Sequence, residues 1–270
     1  KLIVRQADGL IAATPAEHSQ LTYLYKADDD KIKIIPPGVD TSHFYPIQKD
    51  EAKDYIGIPK DDRMILYVGR IEPLKGIDTL IRAIALLEKR GAYLNNCAHY
   101  LTIIGGDPTA SEENLDVEMK RLQRLTRELG VENLVLFLGK RAQETLPYYY
   151  SAAEFVVMPS HYESFGMVAL ESMACGTPVI ASQVGGLAFL VQDGVTGFSI
   201  PSDDPEILAD KIEALLCQNE LLNQMGRQAY QIAQAYSWEL IAGQMMAHYQ
   251  SIISPTVREA RPIHRGNHSH

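Results

Sequence analysis

Two stretches of the sequence combine glycine with charged side chains at spacings that suit a phosphate. The first is Gly69-Arg70-x-Glu72-x-x-Lys75-Gly76, in which two cations lie five residues apart. Arginine presents a planar fork to phosphate oxygens, and lysine presents a point charge. A helix that begins near Gly76 would add its positive N-terminal end. The alternative interpretation is a solvated surface loop with an ordinary Arg-Glu-Lys ion pair, which this stretch alone does not exclude.

The second stretch runs from Glu163 to Pro178 and contains the glutamates Glu163 and Glu171. A helix is predicted from near Gly166 to Gly176, since Pro178 forbids its continuation. The free amides at residues 166–168 would form an anion site at the helix N-terminus. Glu171 would lie between one and two turns into this helix. Two carboxylates, the free amides and the nearby cations suit a ligand with both hydroxyl and phosphate groups. The alternative, an ordinary exposed helical glutamate, is disfavoured by the apolar neighbours of Glu171 but stays open.

Six short apolar runs predict the strands that must position these groups. They are Met64–Val68, Tyr100–Ile104, Leu134–Leu138, Phe155–Met158, Val179–Ala181 and Phe198–Ile200. Continuous apolar runs suit strands buried on both faces of a parallel sheet, and stretches of helical spacing separate them. The pattern predicts an α/β fold with a doubly wound, Rossmann-like parallel sheet, whose ligand would lie outside the carboxyl ends of the strands. Gly69 follows the first strand, and Arg141 follows the third.

The domain organisation is predicted from breaks in this pattern. Residues 1–47 are interpreted as the end of a preceding domain with its linker, because two short strands cannot form a stable sheet alone. Residues 48–236 form the Rossmann-like domain, and residues 237–255 form a last helix with Trp238 and Ile241 on one face. That helix could pack back on the first domain or only on its own. Residues 256–270 are interpreted as a flexible tail, and the absence of an initial methionine suggests a fragment.

Composition excludes several classes of function. The net charge of −9 over 270 residues disfavours nucleic acid and anionic membranes as partners. No apolar run is long enough for a transmembrane helix, and no signal peptide is evident. The three cysteines, Cys97, Cys175 and Cys217, are too far apart for a disulfide framework or a zinc site, which favours a cytoplasmic protein. The P-loop pattern is absent and G-x-G-x-x-G is incomplete, so an ATPase and a dehydrogenase are both disfavoured.

With these residues, the sequence resembles the donor-binding domain of retaining glycosyltransferases of the GT-B architecture, the group 1 or family 4 type. The likeness runs from about Ile34 to about Trp238. Its motifs are residues 34–40, 69–76, 163–171 and 174–179, and Gly185-Gly186 with residues 193–197. The resemblance implies the C-terminal half of a GT-B fold, no metal and no further cofactor. It also implies a missing N-terminal domain that binds the acceptor, so we expect the fragment to bind nucleotide sugar weakly without transferring it.

The resemblance also implies a role for each matched residue. Arg70 and Lys75, after Gly69, would hold the donor diphosphate and stabilise the leaving group. Glu171 would bind the ribose hydroxyls, and Glu163 would face the donor sugar. The remaining assignments are the backbone of Phe165 and Gly166 beside the sugar, the amides of Met167 and Val168 on the diphosphate, and the backbone near Arg141 at the base. Ala188-Phe189 stands where many relatives have Pro-Glu, so that position receives no role.

The reaction implied is transfer of a hexosyl group with retention of configuration at the anomeric carbon. Whether Glu163 attacks the sugar or stabilises a front-face reaction is left open, with stabilisation favoured. The stretches Ile104–Asp107, Leu115-Asp116 and Leu122–Leu125 resemble the sucrose-phosphate synthase group and the inositol-phosphate glycosyltransferases. This resemblance implies UDP-glucose as donor and a sugar or sugar phosphate as acceptor. The alternatives are a sugar-nucleotide epimerase on a similar fold and a non-catalytic nucleotide-binding domain.

Overall fold

The computed structural model describes residues 2–91, 99–107 and 117–253. In chain order the helices and strands are α1 Leu2–Gln6, β1 Leu10–Ala12, α2 Pro15–Tyr25, β2 Ile32–Ile34, α3 Lys49–Ile56, β3 Arg63–Val68, α4 Ile77–Lys89, β4 His99–Ile104, α5 Val117–Leu129, β5 Val135–Gly139, α6 Leu146–Ala152, β6 Phe155–Met158, α7 Met167–Ala174, β7 Val179–Ser182, α8 Leu187–Leu190, β8 Gly197–Ile200, α9 Pro205–Cys217, α10 Asn219–Ala233 and α11 Trp238–Ile253.

Strands β3 to β8 form a parallel sheet of six strands within the described residues, in the order β5-β4-β3-β6-β7-β8. The six strands predicted from apolar runs coincide with them, and the predicted doubly wound α/β fold is confirmed. The order reverses between β3 and β6, which pair at Ile65↔Phe155. Ligands of open α/β sheets bind where the strand order reverses in this way. The loops after β3 and β6 are therefore brought side by side.

Alternate residues of the central strands are buried on opposite faces of the sheet. Ile65 and Tyr67 belong to the hydrophobic cluster under α4, α5 and α9. Met64 and Leu66 belong to the cluster under α6, α7 and α10. Side chains of a strand alternate between faces, so a continuous apolar run is the pattern that a sheet covered on both sides requires. The two cores fix β3 and hence the direction in which its carboxyl-end loop leaves the sheet.

At the amino ends of the central strands, a buried carboxylate forms salt bridges with two cations. Glu154, at the start of β6, lies 3.1 Å from Arg63 and 3.0 Å from Lys49, with 7% of its side chain exposed. Burial pushes the pKa of Glu154 upward, but the two cations outweigh burial and the pKa is lowered. The pair ties β3, β6 and α3 together at the end of the sheet remote from the predicted ligand.

The segment that precedes α3 contains a two-stranded parallel sheet, β1 with β2, and lies against the last helix. The backbones of Val39 and Trp238 are hydrogen-bonded at 3.2 Å, and a Cβ added to Gly38 would lie 2.8 Å from the Trp238 ring. A Cβ added to Gly9 would lie 2.5 Å from Ile252 of α11. The structure thus places α11 in contact with residues that we assigned to the preceding domain.

Some sequence predictions fall outside the described residues. They concern Cys97, Leu115 and the predicted tail, residues 256–270. Within the described part, Asp204 caps the N-terminus of α9, since its side chain accepts a hydrogen bond from the Ile207 amide at 3.0 Å. No helix in the described ranges is both long and apolar enough to span a membrane.

Candidate functional site

A cavity of about 270 Å³ opens at the carboxyl ends of β3 and β6. It is lined by residues 67–70, Lys75, Met158, Ser160 and residues 163–168. Eight of the ten residues that the sequence analysis named as a site lie in this lining: Gly69, Arg70, Lys75, Glu163, Phe165, Gly166, Met167 and Val168. Arg141 and Glu171 do not belong to it. The two charged stretches, almost a hundred residues apart in the chain, therefore meet in one place.

Lys75 and Glu163, which both line the cavity, form a salt bridge with each other. Lys75 Nζ donates to Glu163 Oε2 at 2.7 Å, and only 16% and 14% of these side chains are exposed. Such partly buried charges interact more strongly than a solvated surface pair. The Lys75 ammonium group is thus fixed beside the Glu163 carboxylate, between the loops that follow β3 and β6.

The backbones of the two loops approach too closely for a side chain between them. Gly76 has φ of +62°, and a Cβ there would overlap the carbonyl oxygen of Pro159. The His161 amide donates to the carbonyl of Leu74 at 2.9 Å. Gly76 therefore serves both the positive φ that glycine tolerates and a close approach of backbone to backbone. These contacts hold Lys75 at a defined distance from Glu163.

Arg70 differs from Lys75 in being largely solvated. Its guanidinium lies 2.6 Å from Glu72, and 75% of the Arg70 side chain is exposed. Its backbone is nevertheless fixed, because the Tyr67 hydroxyl donates to the Arg70 carbonyl at 2.9 Å. Burial raises the pKa of Tyr67 well above its usual range, so the hydroxyl stays a donor. Arg70 and Glu72 therefore form a surface ion pair, as in the alternative interpretation of this stretch.

The N-terminus of α7 faces the same cavity. Gly166 precedes α7 with φ of +107°, and no side chain caps the helix at that position. The first amides of a helix have no partner within the helix. Those of Met167 and Val168 are thus placed to donate to an anion, which the positive end of the helix also favours.

The loop that carries Glu163 is braced by two glycines to which sequence reasoning gave no role. The Gly186 amide donates to the Glu163 carbonyl at 3.0 Å. A Cβ on Gly185, whose φ is +46°, would overlap that carbonyl oxygen, and one on Gly186 would overlap the backbone of Phe165. The signal in the sequence was a Gly-Gly pair just after the carboxyl end of β7, where a ligand-binding loop is expected.

Glu171 lies on α7 outside the cavity lining and is partly buried. Its Oε2 accepts a hydrogen bond from the Tyr150 hydroxyl at 2.7 Å. Burial raises the pKa of Glu171 above its usual value of 4.5, while the hydrogen bond from Tyr150 and the nearby His43 oppose the rise. The alternative of an ordinary exposed helical glutamate does not describe this residue. A partly buried carboxylate with a raised pKa is a candidate for binding a ligand.

Arg141 follows β5 and points its guanidinium at the protein rather than at the cavity. Nε donates to the Tyr149 hydroxyl at 2.9 Å, and Nη1 donates to the Leu138 carbonyl at 2.6 Å. The Arg141 guanidinium is therefore engaged in hydrogen bonds within the protein.

Residues 48–232 match the family described as glycosyl transferases group 1. The chain belongs to this glycosyltransferase family. Family membership does not favour the epimerase alternative. It also fits the site geometry, since the matched range contains the residues that line the cavity.

Individual proteins similar to this group 1 glycosyltransferase chain support the family assignment. A D-inositol 3-phosphate glycosyltransferase from Actinosynnema mirum is 39% identical over 247 residues, which are 92% of this chain and 58% of that protein. Sucrose-phosphate synthase from Thermosynechococcus elongatus superposes with a TM-score of 0.82 at 36% identity, covering 94% of this chain and 61% of that one. HepE from Anabaena, crystallised with UDP and glucose, superposes with a TM-score of 0.79 at 26% identity, covering 93% and 65%.

These comparisons confirm the predicted GT-B-type fold and the resemblance on which it rested. The chain spans about three-fifths of the length of the relatives that it matches. Both subgroups to which the stretches near Ile104 and Leu122 pointed occur among these relatives. Among the described residues of this glycosyltransferase chain, no group of three or more His, Cys, Asp or Glu side chains could hold a metal ion.

Proposed function

We propose that the chain is the donor-binding part of a retaining glycosyltransferase. It would take a hexosyl group, most simply glucosyl, from a nucleotide diphosphate sugar such as UDP-glucose to a sugar or sugar-phosphate acceptor. The observation that carries the proposal is the meeting of Lys75, Glu163 and the N-terminus of α7 in one cavity where the strand order reverses.

The chemistry needs a stabilised leaving group. Breaking the bond between sugar and diphosphate builds negative charge on the departing oxygen. Lys75 and the amides of Met167 and Val168 would meet that charge, with Arg70 reaching in from solvent. Such fixed donors stabilise the transition state more than the ground state, and removing one typically raises the barrier by about 3–4 kcal/mol. All of these donors belong to the protein, so we propose a reaction that needs no metal.

Glu163 would change partners when the donor binds. In the structure its carboxylate accepts a hydrogen bond from Lys75 Nζ at 2.7 Å. A diphosphate would compete for the ammonium group and leave the carboxylate facing the sugar. There it would stabilise positive charge that develops at the anomeric carbon during a front-face reaction, which is the role that we favour over nucleophilic attack.

Glu171 would bind the two ribose hydroxyls of the nucleotide, each of which can donate to a carboxylate. The choice of UDP is supported by the likeness to HepE, which was crystallised with UDP and glucose. The choice of a sugar-phosphate acceptor is supported by relatives named D-inositol 3-phosphate glycosyltransferase and sucrose-phosphate synthase. The backbone of Arg141 would contact the base.

A second cavity of about 710 Å³ adjoins Glu163 and is the entrance that we propose for the acceptor. Its wall includes Ile35 from the N-terminal segment, Phe165 from the Rossmann-like domain, and Trp238 and Met245 from α11. A longer protein would complete this cleft with an acceptor-binding domain. Because the chain spans only about three-fifths of its relatives, we propose that it binds the donor without transferring the sugar by itself.

Calorimetric titration tests the proposal. UDP, GDP and ADP, and their glucose conjugates, are titrated into the chain and into the variants Lys75→Ala and Glu171→Ala. We expect the UDP forms to bind best, Lys75→Ala to weaken all diphosphates, and Glu171→Ala to weaken ribonucleotides. Lys89→Ala, at the exposed far end of α4, is the matched control and should change nothing. Unchanged affinity in both site variants would contradict the proposed site, and a 2-epimerised sugar product would favour the epimerase instead.

A further inference from the structure

Tyr150 is buried completely, although it carries a hydroxyl group and lies on α6 rather than on a loop of the site. The hydroxyl donates to Glu171 Oε2 at 2.7 Å. Burial raises the pKa of Tyr150 well above its usual value, and the adjacent carboxylate adds to the rise, so the hydroxyl remains a donor over the physiological range. A buried hydroxyl that donates to a carboxylate forms one of the stronger kinds of hydrogen bond.

Tyr150 is held by a hydrogen bond to its backbone and by a packing contact on its ring. Thr177 Oγ1 donates to the Tyr150 carbonyl at 2.7 Å, and Ser172 Oγ donates to the Thr177 carbonyl at 3.0 Å. The Phe44 ring packs on the Tyr150 ring with centroids 6.0 Å apart. The hydroxyl therefore has little freedom to follow a moving carboxylate, and the carboxylate must come to it.

One oxygen of Glu171 is thus committed to the protein. In the described residues no hydrogen bond reaches the other oxygen, Oε1, and the residue as a whole is partly exposed. Resting on the proposed role of Glu171 at the ribose, we propose that Tyr150 is a positioning residue. Its hydroxyl holds Oε2 so that the carboxylate presents its remaining acceptor sites to the ribose hydroxyls of the donor nucleotide.

A positioned carboxylate is useful only while it is ionised, since the protonated form loses acceptor capacity. Burial works against ionisation of Glu171 by raising its pKa, and Tyr150 is the largest influence that lowers the pKa again. The other titratable groups that act on this pair are His43, from the linker before α3, and Cys175, which follows α7. Both are unchanged in a Tyr150→Phe variant, so any shift in the pH profile reports on the lost hydroxyl.

The experiment compares two nucleotides and four variants by calorimetry. UDP offers both ribose hydroxyls, while 2′,3′-dideoxy-UDP offers none and carries the same base and diphosphate. The variants are Tyr150→Phe, Glu171→Ala, the double variant, and the control Tyr148→Phe. Tyr148 lies on the same helix and stacks on Tyr55 with centroids 3.8 Å apart, so its substitution makes the same chemical change away from Glu171.

We expect Tyr150→Phe to weaken UDP about tenfold, as loss of a hydrogen bond to a charged group does, and to leave dideoxy-UDP unchanged. The substitution should add nothing in the Glu171→Ala background. As pH falls, UDP affinity should decline at a higher pH in Tyr150→Phe than in the parent, because Glu171 has lost the donor that lowers its pKa. Tyr148→Phe should match the parent throughout.

Three results would overturn the inference. Equally weakened binding of UDP and dideoxy-UDP to Tyr150→Phe would show that Tyr150 acts on the fold of the whole site. A lowered thermal unfolding midpoint of the variant would accompany that result. Additive losses in the double variant would show that Tyr150 acts independently of Glu171. If Glu171→Ala itself leaves UDP affinity unchanged, the failure lies in the proposed function, and the role of Tyr150 falls with it.

Discussion

Neutralising Glu163 should tighten the binding of UDP, although Glu163 is a residue of the proposed site. The substitution Glu163→Gln keeps the shape of the side chain and removes its charge. Lys75 Nζ lies 2.7 Å from this carboxylate. A diphosphate must compete with the carboxylate for the ammonium group and must also approach a negative charge. In the variant the first cost is reduced and the second disappears.

The size of the gain follows from the geometry of the pair. At 2.7 Å, two unit charges attract by about 1.5 kcal/mol at the dielectric constant of water and about 6 kcal/mol at an effective value near 20. Hydration of the separated groups offsets most of this, so the net worth of hydrogen bonds to charged groups is about 1.5–3 kcal/mol. Glutamine still accepts a hydrogen bond from Lys75 and retains part of that. The remaining difference of about 1 kcal/mol corresponds to roughly fivefold tighter binding.

The assay is calorimetric titration of UDP into the parent, Glu163→Gln and Lys75→Ala, with uridine as the ligand that lacks phosphates. UDP should bind more tightly to Glu163→Gln and more weakly to Lys75→Ala, whereas uridine affinity should change little in either. In a longer protein that transfers sugar, Glu163→Gln should nevertheless abolish most turnover. Weaker UDP binding to a correctly folded Glu163→Gln variant would refute the reasoning, as would an equal gain for uridine.

Three further predictions concern the supporting structure. Glu171→Gln should raise the thermal unfolding midpoint at pH 7 and weaken the binding of UDP. The midpoint rises because the raised pKa of Glu171 means that its charged form is unfavourable in the folded state. This rise in the midpoint should vanish below pH 4.5, where Glu171 of the parent is protonated too. Gly185→Ala should destabilise the fold by more than about 2 kcal/mol in urea unfolding and loosen nucleotide binding, whereas Gly194→Ala, with positive φ but open space around it, should show only the smaller backbone cost and bind UDP normally. Glu154→Gln should cost about 3 kcal/mol at pH 7, since it removes the negative charge that the buried Arg63 guanidinium and Lys49 share. The parent holds that stability above the unfolded pKa and loses it as pH falls through the lowered folded pKa, so the variant should unfold in acid with a shallower pH dependence, and a steeper one would contradict the ion-pair account.

The sheet was predictable because its requirements are local. Strands buried on both faces need continuous apolar runs, and a run as short as residues 64–68 suits such a strand better than a helix. The carboxyl-end position of Lys75 and Glu163 followed from the same pattern. Their direct contact did not, because it depends on β3 and β6 being neighbours, and the order of strands in the sheet is set by long-range packing rather than by local sequence.

The supporting residues of the site were harder to foresee for a related reason. Tyr150 precedes Glu171 by 21 residues and belongs to another helix, so nothing local connects them. Gly185 and Gly186 were visible as a pair, but their function is to let two backbones touch, and the second backbone is not apparent from the pair itself. The solvated state of Arg70 was one of two interpretations that the sequence left open, since an exposed cation and a ligand-binding cation have the same sequence signature.

A crystal structure of the chain with UDP bound is the most direct test of the central claim, which is that this edge of the sheet binds a nucleoside diphosphate through Lys75 and Glu171. The account predicts the diphosphate within hydrogen-bonding distance of Lys75 Nζ and of the amides of Met167 and Val168. It predicts the ribose hydroxyls on Glu171, with the Lys75–Glu163 contact lengthened from 2.7 Å. A nucleotide bound elsewhere, or a diphosphate in this cavity with that contact intact and Glu171 untouched, would contradict it.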